Sequence, residues 1–391
     1  MLKLKENVSL VRGLQNGGIY DFNSRRFFRV PLAAIDFLEN ELATWQENDG
    51  NSEADDFVAS CKAMGLVDDC VDGRGNECGG KSVEEFLTHV IKPRFCWLEI
   101  NSNCNQHCLH CFLGKELNTT SIRFQTIEAI INELKAVGVT TVAITGGEPL
   151  LHPEFHQIVE LLYSMGFHIV LLTNGTLMTE SMADFLVQNS IMVKIPLFGN
   201  REMHDTMTGL HGSFDKACGG IRTLVSLGGN ITVSSTVTSI NLEGIAFVNQ
   251  FCRSLNVPFE PAPIYPIGCA RENWERLSSD YGKILDVCAV VNGESEETES
   301  GSVELYQPFD SRLTPYSICG TENIAVSHDG NMLPCLLLRT KEFVMGDAGR
   351  LSEIINLKAG RLLEVQRLMD YNNDASCSAC EARGCRPPPS A

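Results

Sequence analysis

Three cysteines in residues 103–111 constrain the fold and chemistry of this chain more than any other feature. Cys104, Cys108 and Cys111 are spaced C-x3-C-x2-C and follow a strand-like run at residues 95–100. Cysteine thiolates hold iron–sulfur clusters, and a cubane [4Fe–4S] cluster normally takes four ligands. Three ligands in one tight loop therefore leave one iron open. An open coordination position is what a metal site needs if it is to bind a substrate.

A structural zinc site is the alternative for the same loop, with His107 or His110 as a fourth ligand. A second motif favours the cluster. The next strand-like run, residues 139–145, ends in Gly-Gly-Glu-Pro at residues 146–149. The cysteine spacing and this motif, in this order, resemble the signature of the radical S-adenosylmethionine (SAM) superfamily.

The resemblance implies a [4Fe–4S] cluster on Cys104, Cys108 and Cys111, the catalytic residues, whose open iron chelates SAM. In that superfamily the reduced cluster cleaves SAM to a 5′-deoxyadenosyl radical, which abstracts a hydrogen atom from the substrate. An external donor of flavodoxin or ferredoxin type would supply the electron. The expected SAM-binding residues are His110, Gly146, Gly147, Glu148, Pro149, Thr173, Asn174, Asn200, Ser234 and Thr236.

The segment after the fourth predicted strand departs from the family pattern. Many relatives have Ser-Leu-Asp-Gly where this chain has Pro-Leu-Phe-Gly at residues 196–199, and arginine where it has Thr208. Asn200, Ser234 and Thr236 are therefore the candidates for contacts to the carboxylate and ribose of SAM. For His204-Asp205, a local helix cap is as good an interpretation as a SAM contact.

Strand and helix patterns alternate six times from residue 95 onward, which predicts an α/β fold with a parallel sheet. Six such units resemble the partial (β/α)6 TIM barrel of the radical SAM core. Active sites of such barrels lie at the carboxyl ends of the strands. The cysteine loop, the Gly-Gly-Glu-Pro motif and Thr173-Asn174-Gly175 all fall at such ends.

A second cysteine pattern follows the barrel. Cys319 and Cys335 flank an Asp-Gly hairpin, and a C-x2-C pair with one further cysteine comes near the end of the sequence. This resembles the SPASM domain and its shorter relative, the twitch domain, which bind auxiliary iron–sulfur clusters. We expect one auxiliary [4Fe–4S] cluster, with Cys385 replacing a ligand or supporting a second, incomplete cluster. The expected ligands, which could instead hold zinc, are Cys319, Cys335, Cys377 and Cys380.

The first seventy residues predict three short strands and then two helices, which is a winged-helix-like domain. The pattern resembles PqqD, a peptide chaperone, and the related recognition elements of RiPPs, which are ribosomally made and post-translationally modified peptides. In such modules a leader peptide adds as a strand to an exposed sheet edge. The alternative is a structural cap on the barrel.

Composition limits the remaining possibilities. The 391 residues carry a net charge of −18, which argues against a nucleic-acid partner. No apolar run could span a membrane, and the first residues lack a secretory signal. Sixteen cysteines in an unsecreted chain indicate metal or redox chemistry. We therefore expect a cytoplasmic protein with a leader-binding domain (1–72), a linker (73–93), the barrel (94–292) and a SPASM/twitch domain (293–391).

Together these features resemble a RiPP maturase, and the expected activity is an oxidative intramolecular cross-link, carbon–carbon or thioether, in a precursor peptide. Leu336 stands where sulfatase-maturing relatives have aspartate, which argues against that chemistry. Three alternatives stay open. They are a peptide epimerase with Cys269 as hydrogen donor, a small-molecule radical SAM oxidoreductase, and a non-catalytic iron–sulfur protein that binds a peptide.

Overall fold

The computed structural model describes residues 2–12, 16–23, 26–46, 52–69, 93–292, 315–316, 323–339, 341 and 344–356. These residues belong to two compact units. The first contains the described residues up to 69 together with residues 315–316 and 353–356, and the second contains residues 93–292 and the described residues of 323–352. Cys319, Cys377, Cys380 and Cys385 lie outside the described residues, as does the predicted linker up to residue 92.

The strands are β1 (Leu2–Leu4), β2 (Val8–Arg12), β3 (Asn16–Asp21), β4 (Arg26–Pro31), β5 (Val67–Asp69), β6 (Phe95–Asn101), β7 (Thr141–Gly146), β8 (His168–Leu172), β9 (Met192–Pro196), β10 (Ile231–Val237), β11 (Phe259–Pro263), β12 (Pro315–Tyr316), β13 (Asn323–Val326), β14 (Asn331–Leu333) and β15 (Gly346–Asp347). The helices are α1 (Leu32–Asn40), α2 (Ser52–Ala63), α3 (Phe124–Ala136), α4 (Phe155–Ser164), α5 (Glu180–Gln188), α6 (Arg201–Thr208), α7 (Ser213–Ser226), α8 (Ile245–Ser254), α9 (Cys269–Glu272), α10 (Trp274–Leu277), α11 (Tyr281–Asn292) and α12 (Leu351–Asn356).

The first unit has an antiparallel sheet in the order β2, β3, β4 and β12, and a separate pair of β1 with β5. The predicted three strands and two helices are present, whereas β1, β5 and β12 were not predicted. Val8 and Val11 of β2 are both fully buried, although residues three apart along a strand point to opposite faces of the sheet. Ile35 and Leu38 of α1 pack in the same core as Val8. Whether this unit is a winged helix stays a prediction.

The second unit is built on a nine-stranded sheet. Strands β6 to β11 run parallel in sequence order, which confirms the six predicted strands. β13 joins the outer edge of β6 in parallel register, and β14 and β15 continue the sheet antiparallel. Within this unit, the Asp-Gly hairpin of the C-terminal segment therefore extends the sheet from its first strand.

The helices of this unit pack against the sheet, and each buries one apolar face. α3 buries Ile127, Ile130, Ile131 and Leu134, which are spaced to lie on one side of a helix. α4 does the same with Phe155, Ile158, Val159 and Leu162. Each fully buried side chain of this size contributes about 1.5–3 kcal/mol. This packing fixes the carboxyl ends of the strands, where the cysteine loop begins.

Candidate active site

The loop that carries Cys104, Cys108 and Cys111 begins directly after β6 and is held by α6. The backbone N–H of His107 donates to the carbonyl oxygen of Thr208 at 2.9 Å, and that of Leu109 donates to Met207 at 3.0 Å. Gly209 ends α6 with a φ of 64°. A Cβ there would lie 2.8 Å from the carbonyl oxygen of His107, so the close approach of helix and loop requires glycine.

The environment of the three thiols favours binding to a cationic centre. Burial raises the pKa of Cys104 to about 11, and it also raises the pKa of Cys108 and of Cys111. Repulsion from the other two thiolates raises the pKa of Cys108 further. Backbone N–H groups of Gly114 and Leu113 oppose this at Cys111 by hydrogen bonding to its sulfur. Three thiolates are stable this close together only with a cation such as iron, so the donor set fits a cluster.

Within the part of the chain that the structure describes, no three His, Cys, Asp or Glu residues converge closely enough to hold one metal ion. The three ligands of a cubane bind three different irons, so they stand farther apart than ligands of one ion.

The Gly-Gly-Glu-Pro segment packs against the start of the cysteine loop. The backbone N–H of Glu148 donates to the carbonyl oxygen of Asn103 at 2.7 Å, and that of Gly147 donates to Asn101 at 3.1 Å. A Cβ on Gly147 would lie 2.1 Å from the Asn103 oxygen. Pro149 is buried and begins a short 3-10 turn. The motif thus fixes where the loop leaves the sheet.

The Glu148 carboxylate bonds to the protein rather than facing an open site. It is fully buried and accepts hydrogen bonds from the Leu150 N–H at 3.1 Å and the Thr173 hydroxyl at 2.6 Å. The backbone N–H of Asn174 donates to its other oxygen at 2.7 Å. Burial raises the pKa of Glu148, and these donors partly offset the rise. The side chain links the ends of β7 and β8.

Asn174 anchors the loop by a second route, through Asn105. Its amide Nδ2 donates to the Asn105 Oδ1 at 2.8 Å, and the Asn105 Nδ2 donates to the Thr176 hydroxyl at 2.8 Å. The Thr176 hydroxyl donates back to the Asn174 Oδ1 at 2.7 Å. This three-residue ring was not predicted. The sequence signal was an asparagine directly after the first cluster cysteine and a threonine two residues after Asn174.

The rings of His110 and His204 both contact the ring of Phe198, the first edge-on and the second stacked. The centres of the His110 and Phe198 rings are 4.7 Å apart, and the His204 ring stacks on Phe198 at 5.4 Å. Burial lowers the pKa of each histidine to about 4, so both are neutral at pH 7. The Phe198 N–H donates to the His204 Nδ1 at 3.2 Å. Nδ1 of His110 and Nε2 of His204 have no hydrogen-bond partner among the described residues.

Two residues of the segment after β9 form helix caps. Asp205 accepts hydrogen bonds from the N–H groups of Gly212 and Phe214 and from the hydroxyl of Ser213, so it holds the start of α7. Burial opposes its ionisation, but these donors hold the pKa of Asp205 below its usual value. Asn200 caps α6 by accepting from the Met203 N–H at 3.0 Å.

The remaining described candidates are partly exposed. Ser234 and Thr236 are half-buried on β10, two residues apart and therefore on one face of the sheet. Cys269 is half-buried beside the loop, and its N–H donates to the carbonyl oxygen of Cys111 at 2.9 Å. Cys335 is half-buried in the turn after β14.

Comparison with known families gives two matches. Residues 98–245 match the model of the radical SAM superfamily, and residues 318–381 match that of the SPASM iron–sulfur cluster-binding domain. The chain therefore carries a radical SAM core followed by a SPASM domain. The cofactors of these two domains are a [4Fe–4S] cluster, SAM and auxiliary iron–sulfur clusters. No helix within the described residues combines the length and apolar character needed to cross a bilayer.

Two curated relatives are similar over the core. The chain is 29% identical over 198 residues to the AdoMet-dependent heme synthase of Methanosarcina barkeri, an alignment that covers 49% of this chain. It is 27% identical over 272 residues to AlbA of Bacillus subtilis, an antilisterial bacteriocin subtilosin biosynthesis protein, covering 65% of this chain. In both cases the alignment spans only 57% of the relative's length.

The fold is similar to that of a solved structure, Streptococcus suis SuiB bound to its precursor peptide SuiA. The two have a TM-score of 0.54 and 15% sequence identity, and the match covers 93% of this chain and 94% of SuiB. At this identity the likeness concerns the fold alone.

Proposed function

We propose that this chain is a radical SAM peptide maturase that closes an oxidative intramolecular cross-link, carbon–carbon or thioether, in a ribosomally made precursor peptide. The observation that carries the proposal is the bonding of Gly147 and Glu148 to Asn101 and Asn103, which joins the two radical SAM motifs into one site. A relative named for bacteriocin biosynthesis and a shared fold with a peptide-bound structure support a peptide substrate.

The chain's own residues have a positioning role in this proposal. Cys104, Cys108 and Cys111 hold the cluster, which with SAM supplies a 5′-deoxyadenosyl radical. The backbone of residues 146–149 would hold the amino end of SAM, and His110 would bind on the adenine side. Because burial keeps both His110 and His204 neutral, no positive charge from these rings faces the cofactor. Ser234 and Thr236 would supply the contacts to the carboxylate and ribose, since the Asn200 side chain caps a helix.

The cross-link removes two hydrogens from the peptide. One leaves as a hydrogen atom to the 5′-deoxyadenosyl radical, and the other leaves as a proton and an electron when the new bond closes. An auxiliary iron–sulfur cluster is a suitable acceptor for that electron. We propose Cys319, Cys335, Cys377 and Cys380 as its ligands, with Cys385 as a replacement. A flavodoxin- or ferredoxin-type protein supplies the electron for SAM cleavage.

The catalytic half of the proposal is tested by SAM cleavage. Reduced, reconstituted protein is expected to convert SAM to 5′-deoxyadenosine, whereas Cys108→Ala protein is not. The matched control is Cys218→Ala, which removes a buried thiol of α7 away from the loop and should keep the activity. A wild-type protein that forms no 5′-deoxyadenosine, even with peptide present, would favour the non-catalytic binding protein.

We further propose that the leader peptide adds to β2, which is the last strand of the first unit's sheet within the described residues, whereas β4 at the other side pairs with β12. The Phe22 N–H donates to the Asn7 oxygen at 2.8 Å, so Asn7 faces β3. Alternation along an antiparallel strand then directs the N–H of Leu10 away from β3, toward an incoming strand.

Leu10→Pro removes that N–H and is expected to weaken binding of the precursor peptide encoded beside this gene at least tenfold, measured by fluorescence anisotropy. SAM cleavage without peptide is the internal control, because the cluster loop lies in the second unit. Unchanged peptide affinity would exclude β2 as the docking edge.

A small-molecule reaction is the second candidate, because the heme synthase of Methanosarcina barkeri is similar over the core. Stimulation of SAM cleavage by the peptide distinguishes the two, since a small-molecule enzyme would not respond. Epimerisation would instead use the half-buried Cys269 thiol, and it would add one deuterium from heavy water without any other change in peptide mass.

A further inference from the structure

A buried carboxylate lies on the strand that leads directly into the cluster loop. Glu99 is on β6 between Leu98 and Ile100, and its exposed fraction is 0%. An ionised carboxylate in such a place is stable only when it is paired and hydrogen-bonded. The groups that pair with Glu99 come from the C-terminal segment of the same unit, more than 200 residues later in the sequence.

Arg339 is the main partner of Glu99. Its Nη1 and Nη2 atoms donate to the two carboxylate oxygens, the second at 3.0 Å, which is the two-pronged geometry of a strong ion pair. His328 adds its backbone N–H at 3.0 Å and its Nδ1 at 3.2 Å to one of these oxygens. The Arg339 side chain is only 7% exposed.

The same guanidinium group reaches the far end of the cluster loop. Nε and Nη2 of Arg339 donate to a Glu116 oxygen at 3.1 Å and 2.6 Å, and Glu116 lies in the 3-10 turn Gly114–Glu116 that follows the loop. The guanidinium carbon is 5.5 Å from the centre of the Phe112 ring. Phe112 directly follows Cys111 in the sequence.

Arg339 therefore bonds to the strand before the loop and to the turn after it, and it lies four residues after Cys335. We propose that Arg339 is a positioning residue that fixes both ends of the loop and, as a buried positive charge, raises the reduction potential of the cluster held by Cys104, Cys108 and Cys111. This inference rests on the proposed function in one respect, namely that the loop binds that cluster. Net charge around a cluster is one of the factors that set its potential.

The test measures the midpoint potential of the cluster whose electron paramagnetic resonance signal changes when SAM is added. Arg339→Met is expected to shift that potential to a more negative value. Arg339→Lys keeps the charge without the two-pronged geometry, so its potential should stay closer to that of the wild type. Lys115→Met is the matched control, because Lys115 also lies in the turn after the loop but is 89% exposed, so its charge is screened by water.

Arg339→Met leaves Glu99 buried without its main partner, so this variant could fail to fold. The double variant Glu99→Gln/Arg339→Met removes both charges of the pair, so no buried carboxylate is left unpaired. Its potential is compared with that of Glu99→Gln, which keeps Arg339, and the double variant should have the more negative potential of the two. A wild-type potential in Arg339→Met, or equal potentials in Glu99→Gln and the double variant, would overturn the inference. That result would leave the proposed function standing, which the formation of 5′-deoxyadenosine by the wild type tests separately.

Discussion

Two buried glutamates near the site, Glu148 and Glu99, have different structural roles. Glu148 and Glu99 are both fully buried, yet their partners differ. Glu148 accepts three hydrogen bonds from neutral donors and joins the ends of two strands. Glu99 is paired with a cation, Arg339, and with His328. Glu148 therefore stabilises the local arrangement of two strand ends, whereas Glu99 connects segments that are distant in sequence.

Glu148→Gln is expected to lower the free energy of unfolding by about 1–3 kcal/mol, because the new NH2 group cannot accept the hydrogen bond from the Asn174 N–H or from Thr173. Equilibrium urea unfolding measures the change. Glu160→Gln, an exposed change on α4, is the control and should have little effect. Equal stability of the two variants would contradict the bracing role.

The stability of the second unit should depend on pH through His328. Its hydrogen bond to Glu99 raises the pKa of His328 above the usual 6.5, so the charged form is favoured in the folded protein. The resulting stabilisation is complete below pH 6.5 and is lost as the pH rises through the raised value. His328→Asn should remove this decline in urea unfolding. His168→Asn, at an exposed position, should keep it.

Among the elements, α6 and the loop it holds are the most sensitive to small changes. Two backbone hydrogen bonds join them, and Gly209 permits the close approach. Because the loop carries the three cluster cysteines, a substitution that separates α6 from the loop would also displace these ligands.

Gly209→Ala is expected to reduce the iron content of reconstituted protein several-fold. The positive φ costs about 1–2 kcal/mol, and the new Cβ also meets the His107 oxygen at 2.8 Å. Gly228→Ala, with a φ of 72° and no atom within 4 Å of its Cβ, is a control for backbone strain alone. Iron content that falls equally in both variants would mean that the contact with the loop is not the cause.

The elements near the site were largely predictable, because strand and helix periodicity and the motifs at strand ends are local signals. The six parallel strands, the Asp-Gly hairpin and the joining of the two SAM motifs follow from such signals. The network of Arg339 was not predictable, since it links residues 240 positions apart with no local pattern. The helix-capping role of Asn200 was missed because the resemblance directed attention to SAM.

At the scale of the whole molecule, the described residues form two compact units with different tasks in the proposed function. In that proposal the first unit offers the edge strand β2 to a leader peptide. The second contains the loop, the Gly-Gly-Glu-Pro segment and the hairpin that ends near Cys335. A leader held on one unit raises the effective concentration of the attached core peptide at the other. This division predicts that one chain both binds and modifies its peptide.

The most direct test of this account is the intact mass of the precursor peptide encoded beside this gene after co-expression with the protein. Co-expression with the wild type is expected to lower the peptide mass by two hydrogens, with Cys108→Ala as the matched control that leaves it unchanged. Fragmentation of the peptide would locate the cross-link. An identical peptide mass with wild type and Cys108→Ala, and no deuterium gained in heavy water, would contradict the assignment of this chain as a maturase of that peptide.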